Sequence, residues 1–234
     1  MASLPENLAG IQQRIQAACD RSGRPAGSVK LLAVSKSQPP DSIEQAAQCG
    51  LALFGENKVQ EARHKIALSP GRLRWHFIGH LQTNKVREAV ELFEMIQTVD
   101  SLPLALEIQK RCQQAAKTMP VLLEINVAGE SSKHGYAPAR LLSELKDLAG
   151  LDRLQIQGVM AIPPFNPSPE QARPHFRQLR TLRDQAEQVL GFGLPHLSMG
   201  MSGDFEVAIE EGSTLVRLGT ALFGQRQSFS PRDH

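Results

Sequence analysis

One lysine stands where a chain can make an amine nucleophile. Lys30-Leu-Leu-Ala-Val-Ser-Lys36 is a short apolar run followed by Ser37-Gln-Pro-Pro40. A run of that length, closed by a proline pair, reads as a buried strand that stops at a loop. Side chains alternate along a strand, so Leu32, Val34 and Lys36 share one face. If that face is a core, Lys36 enters it at the strand's C-terminal end. A desolvated lysine amine loses its proton more readily and attacks carbonyl carbon. The bland alternative is a lysine that has just reached the surface, since buried lysines are rare.

A second constellation lies near the C-terminus. Ser198-Met-Gly-Met-Ser-Gly-Asp204 sets small residues and hydroxyls just before a helical stretch, and Arg217-Leu-Gly-Thr220 follows one unit later. Two Gly/Ser/Thr loops with exposed backbone N–H groups make an anion cradle. Asn57, His80, Asn126, Ser202, Arg217 and Thr220 join Lys36 at the ends of the strand-like runs described below. Each has a structural reading too: Asn57 as a helix cap, His76 and His80 as barrel-filling or rim histidines, Glu124 as half of a buried ion pair. Glu124 shares a face with Asn126 and, if buried, needs a cationic or hydrogen-bonding partner, which an inward lysine would supply. His76 and His80 lack a third ligand at metal spacing, and H-E-x-x-H is absent. A nucleophilic lysine beside a phosphate cradle leaves two options open. One is a Schiff-base aldolase acting on a phosphorylated sugar; the other is pyridoxal phosphate held on Lys36.

The elements that must position these groups alternate. A helix from Ser3, with Glu6 at capping-box spacing, runs to about Arg21 and is expected to close one end of the fold. Strand-like runs follow at 30–36, 51–57, 74–80, 94–99, 120–127, 154–162, 195–202 and 215–223, each but the last followed by a helix-like run. Strict β-α alternation with nearly continuous apolar strands implies a parallel sheet covered on both faces. Eight such units in about 200 residues is the arithmetic of a small (β/α)8 barrel, whose sites lie at the strands' C-terminal ends and often hold phosphate after strands seven and eight. An open doubly wound sheet is the alternative, but neither G-x-G-x-x-G nor a P-loop occurs. No linker divides the chain, so residues 1–234 read as a single domain.

Composition narrows the function classes. Net charge is +2 with basic and acidic residues interspersed, which argues against nucleic-acid or membrane-surface binding. Cys19, Cys49 and Cys112 are odd in number and far apart, as expected in a reducing compartment without a disulfide frame. No run approaches the roughly 20 apolar residues of a membrane span, and the N-terminus lacks a signal-peptide core. A soluble, cytoplasmic protein is expected, with a monomer as the default.

Several motifs together are more specific than any one. Leu32-Ala-Val-Ser-Lys36, Phe54-Gly-Glu-Asn-Lys-Val-Gln-Glu61, Trp75-His-Phe-Ile-Gly-His-Leu-Gln-Thr-Asn-Lys85, Ser131-Ser-Lys-His-Gly135, Gly158-Val-Met-Ala-Ile162, Leu197-Ser-Met-Gly-Met-Ser202 and Val216-Arg-Leu-Gly-Thr-Ala-Leu-Phe-Gly224 closely resemble the pyridoxal phosphate homeostasis protein family. The match runs in order from about residue 7 to 226, with Phe205 where the family often has Tyr. The resemblance implies a barrel of the alanine racemase N-terminal type without that family's second, β-rich domain, to which the N-terminal helix read above is an addition. It implies pyridoxal 5'-phosphate as a Schiff base on Lys36. Ser202, Gly219 and Thr220 would hold the phosphate with Met201 nearby, Arg217 would face the pyridine nitrogen, and Asn57 would lie near the ring. Ser198 and His80 would be neighbours. The implied role is vitamin B6 homeostasis and amino-acid/keto-acid balance without catalytic turnover, with apo pyridoxal phosphate enzymes as recipients. The alternative is an enzyme of racemase or lyase type acting on amino acids. Arginine only donates hydrogen bonds, so a pyridine nitrogen facing Arg217 stays unprotonated and the ring is a poor electron sink. Tyr136, the one tyrosine, follows strand five and does not match the context of the racemases' catalytic tyrosine.

Overall fold

The computed structural model describes residues 3–25, 27–130, 134–164 and 168–225. Among these, eight parallel strands close into a barrel in sequence order: β1 Lys30–Val34, β2 Leu53–Glu56, β3 Arg74–Phe77, β4 Met95–Val99, β5 Met119–Glu124, β6 Leu154–Met160, β7 His196–Ser198 and β8 Leu215–Leu218. Closure is the pairing of β1 with β8, Lys30 opposite Leu215 through Ala33 opposite Leu218. The helices are α1 Leu4–Arg21, α2 Pro40–Gln48, α3 Val59–Leu68, α4 Val86–Leu92, α5 Leu102–Gln114, α6 Pro138–Ala149, α7 Arg173–Leu190, α8 Phe205–Glu210 and α9 Thr220–Phe223. The (β/α)8 architecture expected from the alternation is the one observed. Ser131 to Lys133 of the family-like motif, and the tail from Arg226, lie outside the described residues.

Helix α1 starts as its sequence says: the Glu6 carboxylate accepts the Ser3 N–H at 2.7 Å. Its placement differs from expectation. It does not plug an end of the barrel but packs beside α8 and α9 on one side and α2 on the other. Asn7 donates to the Leu222 carbonyl, and Arg14 and Arg21 pair with Glu206 and Glu210 of α8. The reason is a gap: α9 has a single turn, so the outer ring would be open where β8 meets β1, and the buried stripe Leu8, Ile11, Ala18 and Cys19 fills it.

All eight strands are shorter than their apolar runs suggest, and at the ends of three of them, β1, β7 and β8, the chain turns to build the rim. β1 ends at Val34, so Lys36 lies two residues past the strand. β7 ends at Ser198 because Gly200 takes φ 96, a left-handed conformation that only glycine adopts without cost, and a Cβ there would sit 2.7 Å from that of Ala208. β8 ends at Leu218: Gly219 turns the chain (ψ −78) into α9, so Thr220 opens a helical turn rather than continuing a strand to Phe223.

The apolar interior has two parts. One layer lies between sheet and helices. Inside the barrel, Leu32, Val34, Leu53 and Leu215 form one cluster and Met95, Leu122 and Met160 another. Barrel closure leaves no slack at Gly158, which pairs with His196 across β6 and β7; a Cβ there would lie 1.9 Å from the His196 carbonyl oxygen. Gly158→Ala must push the two strands apart. Overpacking of this kind costs on the order of 3 kcal/mol, a fall in Tm of about 6–12 °C for a chain of this size, read by thermal unfolding.

Candidate functional site

The C-terminal ends of the strands enclose a cavity of about 470 Å3. Lys36, Asn57, Met201, Ser202, Arg217, Gly219 and Thr220 all line it, together with Val34, Ile78, His80, Glu124, His134 and Asp204. Seven residues spread over 185 positions of sequence are thus brought to one place. Lys36 arrives as its strand parity requires. Leu32 and Val34 face the barrel interior while Ala33 belongs to the outer layer, and Lys36 continues the inward row, half-buried at the wall. Asn57 is seated by a close approach: a Cβ on Gly79 would lie 2.3 Å from the Asn57 carbonyl oxygen, so the β2 and β3 rims touch backbone to backbone. Asn126 is not among the lining residues; its amide donates to the Glu130 carbonyl within its own loop.

The two Gly/Ser/Thr loops meet. Ser202 Oγ accepts the Ala221 N–H of α9 at 3.1 Å, and Asp204 Oδ1 accepts the Met201 N–H at 2.6 Å. These bonds fix the loop after β7 against the turn after β8, with Gly219 and Thr220 between them on the cavity wall. The Asp204 carboxyl is pushed above its ordinary range by burial, against the Met201 bond and Arg217.

Arg217 is held from behind. Its Nη1 donates to Ser198 Oγ at 2.8 Å and its Nη2 to the Ala161 carbonyl at 2.9 Å. Ser198 Oγ donates to Gln97 Oε1 at 2.7 Å, and the Gln97 amide lies 2.8 Å from His76 Nδ1. A guanidinium has no acceptor, so the direction of the whole chain follows from its first member. Ser198 must pass its proton to Gln97, Gln97 must donate to His76, and neutral His76 therefore carries its proton on Nε2. Burial, and then the charges of Arg74, His196 and Lys30, hold the His76 pKa down at about 3. Ser198 bonds Arg217 and is not among the cavity's lining residues, and His76 is buried inside the barrel. Arg217 itself, fully enclosed, is lowered by burial to about 10, against the pull of Glu124 and Asp204, and stays charged at neutral pH.

Glu124 is the lining residue whose role the sequence left as an ion pair. Its Oε2 has no hydrogen-bond partner, and the cation that acts on it is Arg217 rather than a lysine. Burial, reinforced by Asp100, raises its pKa to about 7. The folded state then holds a proton that the unfolded chain releases near 4.5, so this group takes stability away as pH rises from about 4.5 through 7. At roughly 1.4 kcal/mol per pH unit the loss is capped near 3 kcal/mol. Glu124→Gln is expected to be more stable than wild type at pH 8, with the gap closing toward pH 4.5, in urea melts at both values. An equal gap at both values removes the assignment.

His80, a neighbour in the sequence reading, stacks on His134 with ring centroids 3.6 Å apart, and its Nδ1 lies 3.4 Å from Asp100. The sequence does not mark His134, Asp204 or Asp100 as site residues: His134 and Asp204 lie within the family-like and Gly/Ser motifs, but residue type alone does not say which way a side chain points.

The residues fit pyridoxal phosphate on chemical grounds. An amine for an aldehyde, hydroxyls and a turn of backbone for a phosphate, a donor-only cation for a ring nitrogen, and a buried carboxyl with an orphan oxygen face one volume. Once bound, such a cofactor supplies a reversible carbonyl and an electron-withdrawing ring.

Comparison with known proteins agrees with this fit. The family model described as alanine racemase, N-terminal domain, matches residues 7–227. The pyridoxal phosphate homeostasis protein of Aquifex aeolicus is 48% identical over 223 residues, covering 95% of this chain and 98% of that one. That of Pseudomonas aeruginosa is 42% identical over 234 residues, covering 99% of each. The structure of PipY from Synechococcus elongatus with PLP bound superposes with a TM-score of 0.84 at 38% identity, covering 95% of this chain and all of that one. The chain therefore belongs to the alanine racemase N-terminal domain family and, within it, to the pyridoxal phosphate homeostasis proteins.

Proposed function

We propose that this protein binds pyridoxal phosphate covalently on Lys36 and serves intracellular vitamin B6 homeostasis rather than turnover of a substrate. The Lys36 amine condenses with the cofactor's aldehyde carbon and releases one water. Ser202, Gly219 and Thr220, with Met201 beside them, receive the phosphate, Arg217 the pyridine nitrogen, and Asn57 the ring. The observation that carries this reading is the convergence of those seven residues on one cavity in a member of this family. Full-length relatives with the homeostasis name and a PLP-bound structure at 38% identity support it.

Two residues favour binding without turnover. Arg217 can only donate, so it does not favour a protonated ring, and its rear bonds fix it in that role. Tyr136 is buried in the apolar layer, is not among the cavity's lining residues, and has its phenol pushed up by burial. A second reading, an amino-acid racemase or lyase, draws on Glu124, whose pKa of about 7 in the cavity wall suits an acid or base. The free thiols Cys19, Cys49 and Cys112 suit a reducing cytoplasm, and among the described residues no helix is long and apolar enough to cross a membrane. Apo pyridoxal phosphate enzymes are the proposed recipients.

The test has two stages. Protein incubated with pyridoxal phosphate should develop a visible imine band, and borohydride reduction should leave the adduct mass on the Lys36 peptide. Loaded protein should then activate an apo-enzyme faster than the cofactor's own release into solution allows. Proton exchange at an amino acid's α-carbon above the rate with free cofactor would favour the enzyme.

A further inference from the structure

Lys36 sits in a backbone arrangement that is costly to hold. Ser35 to Gln38 form a turn closed by the Gln38 N–H to the Ser35 carbonyl at 2.9 Å, and Ser37, its third residue, has φ 61. That position calls for glycine or asparagine, because a side chain crowds the backbone there. Strain at a non-glycine residue persists only where the surroundings over-determine it.

The surroundings here are a buried charge cluster behind the turn. The Lys65 side chain is 5% exposed, and its Nζ donates to Glu56 Oε1 at 2.7 Å, Glu61 Oε1 at 2.6 Å and the Ser35 carbonyl at 2.6 Å. An ammonium has three donors, and all three are used. The two carboxylates reach the turn as well: Glu61 Oε1 accepts the Ser37 N–H at 2.5 Å, and Glu56 Oε1 accepts the Ser35 hydroxyl at 2.6 Å. One lysine thus grips the carbonyl just before Lys36 directly and the amide just after it through Glu61. Glu61 and Lys65 are one turn apart on α3, so the helix that follows β2 fastens the loop that follows β1. Burial raises the Glu56 carboxyl, while Lys65 and the Ser37 amide hold that of Glu61 down against its burial.

We propose that Lys65 and Glu61 are positioning residues for Lys36, clamping the strained turn so that the amine meets the cofactor's aldehyde without first having to be ordered. The inference rests on the cofactor reading above and adds to it a part of the protein that touches no cofactor atom. Its cost to the fold is a buried lysine, which a chain without such a need would replace with an apolar side chain.

Glu61→Ala removes the Ser37 acceptor at a side chain that is 26% exposed, and leaves Lys65 paired with Glu56. It is expected to weaken pyridoxal phosphate binding at least tenfold by titration of the visible band, and to slow borohydride-trapped adduct formation at Lys36. The thermal midpoint of the cofactor-free protein should move little. Adding Ser37→Gly should restore most of the lost affinity, because glycine holds φ near 60 without the clamp; a purely structural role for Glu61 gives no such rescue. Lys65→Met, where it folds, should match or exceed the Glu61→Ala loss. Wild-type affinity in Glu61→Ala, or no rescue by Ser37→Gly, overturns the proposal. If wild-type protein forms no adduct on Lys36, the cofactor reading falls instead, and this inference with it.

Discussion

Lys36→Ala is expected to abolish the visible imine band completely, the largest effect of any single substitution in this protein. Among the described residues Lys36 is the one lysine that lines the cavity, and Lys65 is engaged by three acceptors behind it. The protein should still fold, because Lys36 lies past the end of β1 and outside the apolar clusters. Residual, non-covalent binding should survive, since Ser202, Thr220 and Arg217 are untouched. Lys36→Arg separates charge from chemistry, as a guanidinium keeps the positive charge but does not form the imine. The check is a spectrum of each variant with pyridoxal phosphate, followed by borohydride reduction and peptide mass analysis. A band of wild-type strength in Lys36→Ala removes the proposed function.

The second large effect belongs to Arg217→Met. Methionine fills much of the same volume but makes neither the bond to Ser198 nor that to the Ala161 carbonyl. Ala161 is 1% exposed, so its carbonyl would lose a charged donor without water to replace it. Two bonds from a charged group, at roughly 1.5–3 kcal/mol each, are partly offset by relieving a buried charge, which leaves a loss of about 3 kcal/mol. For a chain of this length Tm should fall by about 6–12 °C. Without the donor from Arg217, Ser198 is free to turn its hydroxyl, and the direction of the chain through Gln97 to His76 is no longer imposed. Cofactor affinity should fall as well, and the absorption of what still binds should shift, because the ring nitrogen has lost its donor. An unchanged spectrum with lowered Tm would confine Arg217 to a structural part. Ser198→Ala should give a smaller version of both changes, since it removes one of the two rear bonds.

Most of the fold was legible because its signals are local. The alternation of apolar runs with helical stretches, the proline and glycine stops and the Ser3–Glu6 cap each depend on neighbours within a few residues, and each is where the pattern puts it. Errors fell at the strand ends. Met199, Met201 and Ala221 continue an apolar rhythm past β7 and β8, but Gly200 and Gly219 turn the backbone there, and periodicity does not register a turn that keeps the same residue types. The single turn after β8 in turn explains why α1 serves as a wall of the outer ring, which no feature of α1 alone announces.

The site divides in the same way. By itself the sequence determined that Lys36 shares a strand face with Leu32 and Val34, that two small-residue loops follow the last two strand-like runs, and that the motifs resemble those of one family. These follow from strand parity and residue type, which the chain carries in order. Only the tertiary structure decided that Arg217 is braced through Ser198 and Gln97 onto His76, that Glu124 answers to Arg217, and that Lys65 reaches back to grip the turn holding Lys36. Those contacts join residues from different strands and helices. Which of them meet depends on the stagger of the strands at barrel closure and on where each helix lies against the sheet, and both are set by the packing of the whole chain at once.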